Sequence, residues 1–366
     1  MFLLFATALS APAQVKPDQD YVVYVLSESA DKIAVVRFGP DGARVERQVE
    51  TGDMPVDIDG PHGIVISPDR QFYYVTLAHG RPFGSVWKYS TKDDALVAKT
   101  NLGLFPATLD VTRDGAFLFV VNFNLHGDMV PSTVSVVSTQ TMTEVARLKT
   151  CTMPHGSRLN AAGTKQYSAC MMDDMLVEID TRSLKVTRQF PLSKTGSGMK
   201  HSSAGGHGME PPKPGDNSCS PTWAEPSIDG GSVYVACNGS SEIVEVNTKD
   251  WQVVRRLEAR PGVYNLEITH DGLRLIATNK RDQSVSIYEL KSGKELARLP
   301  TKRKVLHGVV VSPDDRYAFV TVEGIGSEPG TVEVIDLMTL KTVATVDIGP
   351  TASGIDFYKL EPRKKP

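Results

Sequence analysis

Residues 306–322 read LHGVVVSPDDRYAFVTV, which is a short apolar strand, a Ser-Pro-Asp turn and a second apolar strand. Copies of this unit begin at residues 61, 106, 154, 221 and 263, and a partial copy, ASGIDFYKL, begins at 352. With position 62 as the anchor of the unit, the equivalent positions are 107, 155, 222, 264, 307 and 353. The intervals are 45, 48, 67, 42, 43 and 46 residues. The chain is therefore built from a repeat.

A repeat of this length with four strands in each copy is typical of a β-propeller. After strands A and B of each unit, the sequence supplies a third strand (TVEVIDL in the last full copy) and a fourth (KTVATV). The N-terminal strands 21–27, 32–38 and 44–50 lack a first strand, which the C-terminal SGIDFYKL would supply. We predict an all-β, seven-bladed β-propeller with four-stranded antiparallel blades. One domain over residues 21–360 would be closed by its N-terminal strands and its C-terminal strand, with blade 1 beginning at residue 61.

The segment SPDDRYAFVT and its counterparts resemble the repeat of the YVTN family of exported bacterial seven-bladed propellers. The resemblance covers nearly all of the chain after the first residues and implies the propeller fold. It implies no particular activity, because propellers carry many unrelated functions.

Charge and the N-terminal residues narrow the class of protein. The formal net charge is −3, and no cluster of Lys and Arg forms a stripe that could follow nucleic-acid phosphates. The first residues, MFLLFATALSAPAQ, form an apolar run that ends in small residues, which indicates a signal-like segment over residues 1–13. No later segment is apolar enough to span a membrane. We expect a periplasmic or secreted protein that does not bind nucleic acid.

The four cysteines follow the repeat. Cys170 and Cys237 end strand B of blades 3 and 4, and Cys151 and Cys219 precede strand A of the same blades. The start of strand A and the end of strand B are neighbours, so the simplest disulfides are Cys151–Cys170 and Cys219–Cys237, as expected in an exported protein. The alternative is that these cysteines are thiolate metal ligands.

Strand direction assigns the histidines to faces of the ring. In an antiparallel blade, the D-to-A and B-to-C connections lie on one face. Seven of the eight histidines map to that face, and His270 maps to the other. The seven are His62, His155 and His307 at the start of strand A, His79 and His126 after strand B, and His201 and His207 in a Gly-, Ser- and Pro-rich insertion over residues 192–220 between blades 3 and 4.

Three of these histidines could converge. Strand A is innermost in a propeller, so His62, His155 and His307 of blades 1, 3 and 6 would form a nearly even tripod at the channel mouth. Three imidazoles around one ion leave a coordination position open. Met199 and Met209 flank the insertion's histidines, and thioether with imidazole suits copper. We therefore predict a metal site of His62, His155, His307, His79, His126, His201, His207, Met199 and Met209, with copper favoured over zinc.

Structural interpretations compete with this one. A histidine in Pro-His-Gly can bind a neighbouring backbone carbonyl while the glycine permits close approach. His79 and His126 could be solvated loop residues, and His201 and His207 could lie in a loop with no fixed partner. Charged residues recur at one position of strand A: Asp110, Arg158, Glu225, Glu267 and Asp356. They would line a polar channel, orient ligands, or form a structural ion-pair ring around Arg158.

The sequence supports three functions. The first is an exported metal-binding propeller, loosely similar to the propeller of nitrous oxide reductases, in which histidines from several blades gather at one end of the channel. That family's clustered histidine motifs are not found in this sequence, so the similarity implies no activity. The second is a metal-free scaffold or subunit of an exported complex that binds an exported protein partner on the histidine-rich face. The third is a metal-dependent oxidoreductase or lyase. No catalytic motif is present, so we expect binding rather than catalysis.

Overall fold

The structure is a computed structural model that describes residues 16–53, 57–79, 83–193 and 218–362. Each repeat forms one four-stranded antiparallel sheet, and seven such sheets are present in these ranges. The helix recorded there is a single 3-10 turn, Glu28–Ala30. The predicted seven-bladed β-propeller is thus confirmed. Within the described ranges, no helix has the length and apolar character needed to cross a membrane.

The strands are numbered in chain order, and blades 1 to 6 each take four in succession, A to D. Blades 1 to 3 contain β4 Pro61–Ile66, β5 Phe72–Leu77, β6 Ser85–Ser90 and β7 Leu96–Asn101; β8 Pro106–Val111, β9 Phe117–Asn122, β10 Pro131–Ser138 and β11 Thr143–Thr152; β12 Pro154–Leu159, β13 Lys165–Cys170, β14 Met175–Asp180 and β15 Lys185–Pro191. Blades 4 to 6 contain β16 Pro221–Pro226, β17 Ser232–Cys237, β18 Glu242–Asn247 and β19 Val253–Glu258; β20 Val263–Ile268, β21 Arg274–Asn279, β22 Ser284–Glu289 and β23 Glu295–Pro300; β24 Leu306–Val311, β25 Tyr317–Val322, β26 Thr331–Asp336 and β27 Lys341–Asp347.

Blade 7 is assembled from both ends of the chain, as predicted. Its strands are β1 Gln19–Ser27, β2 Lys32–Gly39, β3 Gly42–Glu50 and β28 Ala352–Pro362. Strand β28 pairs antiparallel with β1, so that Gln19 lies opposite Pro362 and Ser27 opposite Ala352. This pairing occupies the edge that β1 would otherwise expose to another chain.

The hydrophobic core lies between adjacent blades. Strand B side chains are almost wholly buried, whereas strand D alternates between exposed and partly buried residues, as on β3. Between blades 7 and 1, for example, Val22 and Tyr24 pack in one cluster with Tyr73 and Val75. Apolar residues on both faces of the inner strands therefore join neighbouring blades.

The Ser-Pro-Asp motif acts as a turn. Ser312 donates a hydrogen bond of 2.6 Å to Asp314 and accepts one of 3.0 Å from the amide of Tyr317. Equivalent Ser or Thr to Asp bonds begin at residues 67, 112, 227 and 269. These side chains satisfy the turn's backbone groups and fix the A-to-B connection of five blades.

Both predicted disulfides are present. Cys151 is bonded to Cys170 and Cys219 to Cys237, which leaves no free cysteine. The thiolate-ligand alternative for these residues is therefore wrong. The Cys219–Cys237 bond joins the entry of strand A to the end of strand B within blade 4. Cys151 lies near the end of β11, the last strand of blade 2, so the Cys151–Cys170 bond joins blade 2 to the end of strand B of blade 3.

Candidate functional site

A recurrent irregularity at the start of strand A aims the anchor side chains into the channel. The A–B pairing shifts register between Pro61 and Ile64, and equivalent shifts occur in blades 2 to 6. A bulge of this kind frees backbone from the ladder and redirects side chains. In this chain it places the anchors His62, His155, Tyr264 and His307 around one pocket at the channel mouth.

The freed backbone of each anchor is held by its neighbour. Gly156 follows His155, and a side chain at this position would collide with the backbone of Thr222. The Nδ1 atom of His155 lies 3.0 Å from the carbonyl oxygen of Thr222. The predicted role of Pro-His-Gly in tying a turn to a neighbouring carbonyl is therefore real for His155, and glycine allows the required approach.

The three histidines of the predicted tripod do converge. The ring centre of His62 lies 6.1 Å from that of His155 and 5.0 Å from that of His307, with the rings nearly perpendicular. Imidazoles whose nitrogens bind one ion at about 2 Å have ring centres on the order of 5 Å apart. Tyr264, which the sequence argument had not selected, adds a hydroxyl 2.9 Å from His155 Nε2 and 3.3 Å from His307 Nε2.

The outer ring nitrogens of two histidines have fixed partners. His62 Nδ1 lies 2.9 Å from a carboxylate oxygen of Glu28, and His155 Nδ1 donates to the Thr222 carbonyl. A carbonyl can only accept, so His155 carries its proton on Nδ1 and presents an Nε2 lone pair to the pocket. The Nε2 atom of His62 is buried and has no hydrogen-bond partner. Both rings line the mouth pocket, and in each of them Nδ1 is occupied and Nε2 is not held by the same partner.

Burial keeps two of the imidazoles neutral. Burial, assisted by the adjacent His62, lowers the pKa of His155 to about 3. Burial and then the Lys280 ammonium lower the pKa of His307 well below the ordinary histidine value. At neutral pH both rings are therefore uncharged and have lone pairs available for a metal ion or a proton.

Glu28 links the tripod to a fourth histidine. Its second carboxylate oxygen lies 2.8 Å from His79 Nε2. Burial acts to raise the pKa of Glu28, but His62 and His79 outweigh it and hold that pKa well below its usual range. The hydrogen bond to Glu28 in turn raises the pKa of His79. Glu28 is therefore a carboxylate shared by two imidazoles.

A charged pair lies on the opposite side of the mouth. Lys280 Nζ is 2.9 Å from a carboxylate oxygen of Glu323 and 3.9 Å from the ring centre of Tyr264. Burial raises the pKa of the Tyr264 hydroxyl, and the Lys280 ammonium acts against that rise. The mouth therefore combines neutral imidazoles, a phenol, one ammonium and two carboxylates.

The remaining predicted ligands are not brought into the tripod. His79 and His126 lie beyond Phe105, which separates them from the mouth pocket, and their ring centres are 5.7 Å apart. Met199, His201, His207 and Met209 lie outside the described residues. Among the described side chains, no group of three or more His, Cys, Asp and Glu is arranged to hold a metal ion as it stands.

The charged positions of strand A meet farther along the channel. Arg158 Nε lies 3.9 Å from Glu225, and the guanidinium lies 4.5 Å from the ring centre of Trp223. Asp110 and Asp356 accept amide hydrogen bonds of 2.9 Å and 2.7 Å from the next blade. Burial raises the pKa of Glu225 to about 7 and that of Asp356 to about 6. These contacts fit the interpretation as a structural ion-pair ring that also joins blades.

The sequence contained a signal for the residues that were missed. Tyr264 occupies the anchor position of blade 5, equivalent to His62. The other missed residues come directly after strand B of their blades, at the inner end of the B-to-C connection. They form a second ring around the mouth: Glu28, Phe123, Met171, Lys280 and Glu323. Comparing this one position across all seven copies would have identified them.

No family model matches this chain, and no curated protein matches it. Solved structures do resemble its fold. A protein of unknown function from Desulfotomaculum acetoxidans is 13% identical with a TM-score of 0.70, covering 92% of this chain and 98% of its own. The Pseudomonas aeruginosa periplasmic gluconolactonase is 17% identical with a TM-score of 0.68, covering 92% and 99%. Hydrazine synthase from Kuenenia stuttgartiensis is 21% identical with a TM-score of 0.63, covering 84% and 92%. At these identities the likeness establishes the propeller fold alone.

Proposed function

We propose that this protein is an exported metal-binding propeller that holds one copper ion at the channel mouth through His62, His155 and His307. One observation carries the proposal: Nδ1 of His62 is bound to a carboxylate and Nδ1 of His155 to a backbone carbonyl, which leaves the Nε2 atoms of these two pocket-lining rings to serve as metal ligands. Metal-binding histidines are oriented by partners of these two kinds.

The chemistry of the pocket favours copper over zinc. His155 and His307 are neutral because of burial, so metal binding requires no proton release from them. The Met171 side chain lines the same pocket. Three imidazoles alone would also suit zinc, so the preference for copper rests on the nearby thioether. Export agrees with the two disulfides and with the periplasmic neighbour of the same fold.

The test is the stoichiometry and affinity of metal binding. Purified protein is dialysed against copper or zinc salts in competition with a chelator, and bound metal is measured by elemental analysis. We expect one tightly bound copper per chain, and a loss of affinity of at least tenfold in His62→Ala, His155→Ala and His307→Ala. His270→Ala, on the opposite face, is the matched control and should bind as wild type does. Equal binding by wild type and the three mouth variants would overturn the proposal.

A second candidate function is docking of an exported protein on the same face. Its motivation is a group of exposed apolar side chains around blades 1 and 2. They are Ile58, Phe83, Leu104, Leu125, Met129 and Val130. Such a patch beside a pocket is typical of an interaction site. We expect the double variant Phe83→Asp and Leu125→Asp to lose chemical cross-linking to an exported partner, while the amount of bound copper stays unchanged. Cross-linking at the wild-type level would contradict this.

A further inference from the structure

Tyr264 is the anchor residue of blade 5, and its hydroxyl contacts two of the proposed ligands. It comes from blade 5, between His155 of blade 3 and His307 of blade 6 around the ring. Its hydroxyl oxygen lies 2.9 Å from His155 Nε2 and 3.3 Å from His307 Nε2. The question is whether this oxygen occupies the place of the ion or the place of a ligand.

The spacing fits a ligand as well as a hydrogen bond. Neighbouring donor atoms that share an ion at about 2 Å from each lie roughly 2.8 Å apart in a square plane and roughly 3.3 Å apart in a tetrahedron. The oxygen-to-nitrogen distances at Tyr264 are of this size. The hydroxyl therefore lies where a ligand of an ion shared with His155 and His307 would lie, and it is also within hydrogen-bonding distance of both rings.

Lys280 is the cation that favours an anionic oxygen on Tyr264, against the burial of this side chain and the charges of Glu323 and Glu28. Lys280 Nζ lies 3.9 Å from the Tyr264 ring centre, and its other contact is the 2.9 Å pair with Glu323. An ammonium at this distance stabilises negative charge on the phenol in a partly desolvated site. Glu28, the second carboxylate at the mouth, is already bound to His62 and His79.

We infer that Tyr264 is the fourth ligand of the site and binds copper(II) through its phenolate oxygen, which completes a set of three imidazoles and one phenolate. The inference rests on the proposed function and specifies the oxidation state, since a hard oxygen donor favours copper(II) over copper(I). When the oxygen–copper bond forms, the phenol O–H bond breaks and its proton passes to water. No electron is transferred.

The experiment uses the whole protein with copper(II) chloride as the probe. A phenolate bound to copper(II) gives a charge-transfer absorption band in the visible region, which imidazole ligands alone do not give. We expect this band in wild type at one equivalent of copper, together with release of about one proton per copper in weakly buffered solution. Tyr264→Phe should still bind one copper with at least tenfold lower affinity, without the band and without that proton.

Tyr358→Phe is the matched control. The Nζ atom of Lys359 lies 4.8 Å from the ring centre of Tyr358, but Tyr358 is in the second half of β28, away from the mouth. It should keep the band. If wild type binds copper without the band, or Tyr264→Phe keeps it, Tyr264 is only a hydrogen-bond partner and the inference is overturned while the proposed function stands. If wild type binds no copper by dialysis, both are overturned. Circular dichroism of Tyr264→Phe confirms that the variant compared is folded.

Discussion

Glu28 determines the geometry of the mouth at the scale of single residues. One carboxylate receives His62 on one oxygen and His79 on the other, at 2.9 Å and 2.8 Å. It occupies Nδ1 of His62, which leaves Nε2 of that ring for the mouth pocket, and it brings negative charge close to the proposed copper site. A residue in this position acts on a metal through its ligand.

Replacing Glu28 with Gln tests this role. An amide keeps the size of the side chain but loses the charge that orients and polarises His62, so copper affinity should fall by about 10- to 100-fold. The measurement is a chelator competition titration. Glu50→Gln is the control, since the Glu50 side chain is 88% exposed on strand β3. An unchanged affinity in Glu28→Gln would show that His62 needs no carboxylate.

His155 gives a prediction about pH and the stability of the metal-free protein. Its pKa is about 3 in the folded state, below the ordinary histidine value of 6.5, so the unfolded chain binds a proton that the folded chain does not. Its contribution to stability is complete above about pH 6.5 and is lost as the pH falls toward 3. The free energy of unfolding should therefore fall less between pH 7 and 4.5 in His155→Gln than in wild type, by roughly 2 kcal/mol.

Urea unfolding at these two pH values measures the difference. His270→Gln changes an exposed histidine on the far face. Between the two pH values, its free energy of unfolding should change by the same amount as that of wild type. The raised pKa values of Glu225 and Asp356 act in the opposite direction, because their protonation favours the folded state as pH falls. They are present in all three proteins and cancel in the comparison. Identical slopes in His155→Gln and wild type would contradict a buried neutral His155.

Sequence could predict which histidines meet, but not the whole site. His62, His155 and His307 share one position of the repeat. Equivalent positions of strand A in a propeller lie around the same end of the channel. Glu28 was missed because blade 7 is built from both ends of the chain, so its strand B is the first strand of the protein. Tyr264 was missed because an aromatic residue in strand A looks like core.

At the scale of elements, the bulge at the start of strand A brings the anchor side chains of several repeats to one pocket. A regular strand would bury the anchor side chain against one neighbouring blade. The register shift instead leaves the anchor carbonyl to be bound by the previous blade, as Thr278 binds the carbonyl of His307 at 3.1 Å. The glycine that follows an anchor histidine, such as Gly156, leaves room for the backbone of the next blade.

Gly156→Ala tests the close approach. The added methyl group would collide with the Thr222 carbonyl and the Trp223 backbone, which cannot move without shifting strand β16. We expect a loss of about 2 kcal/mol or more in the free energy of unfolding by urea, together with weaker copper binding through His155. Gly231→Ala is the control, because the nearest atoms there belong to the end of the Asp229 side chain at 3.3 Å. Its change should stay within about 1 kcal/mol, and an equal loss in both variants would contradict the explanation.

Elements were the most predictable level. Alternating apolar residues and Ser-Pro-Asp turns fixed the A and B strands, and the location of cysteines at equivalent ends fixed both disulfides. The bulge itself was not predictable from the pattern, because it depends on where a neighbouring blade offers a hydrogen-bond donor. That contact lies in another repeat and leaves no mark on the local sequence.

At the scale of the whole molecule, ring closure depends on one strand. Strand β28 covers β1 along nearly its full length and supplies the anchor of blade 7. Tyr24 of β1 also packs against Tyr358 of β28, with ring centres 5.3 Å apart. The mouth draws on blades 1, 2, 3, 5, 6 and 7, so an opened ring would lose both its stability and the pocket.

Truncation tests the closure. A chain that ends at residue 351 lacks β28, exposes the edge of β1 and should either aggregate or melt lower by on the order of 10 °C or more. A chain that ends at Pro362 keeps β28 and should melt as wild type does. Thermal unfolding followed by circular dichroism compares them. Equal melting temperatures would show that the last strand is dispensable.

The pairing of Gln19 with Pro362 has a consequence for how the protein is presented to its surroundings. Strand β28 runs away from the mouth and β1 runs toward it, so Gln19 and Pro362 lie side by side on the far face of the ring. A lipid, a surface or a fused domain that is attached next to Gln19 or Pro362 would therefore be attached on the face opposite the mouth. The pocket proposed to bind copper would then face outward, with the full depth of the ring between it and the point of attachment.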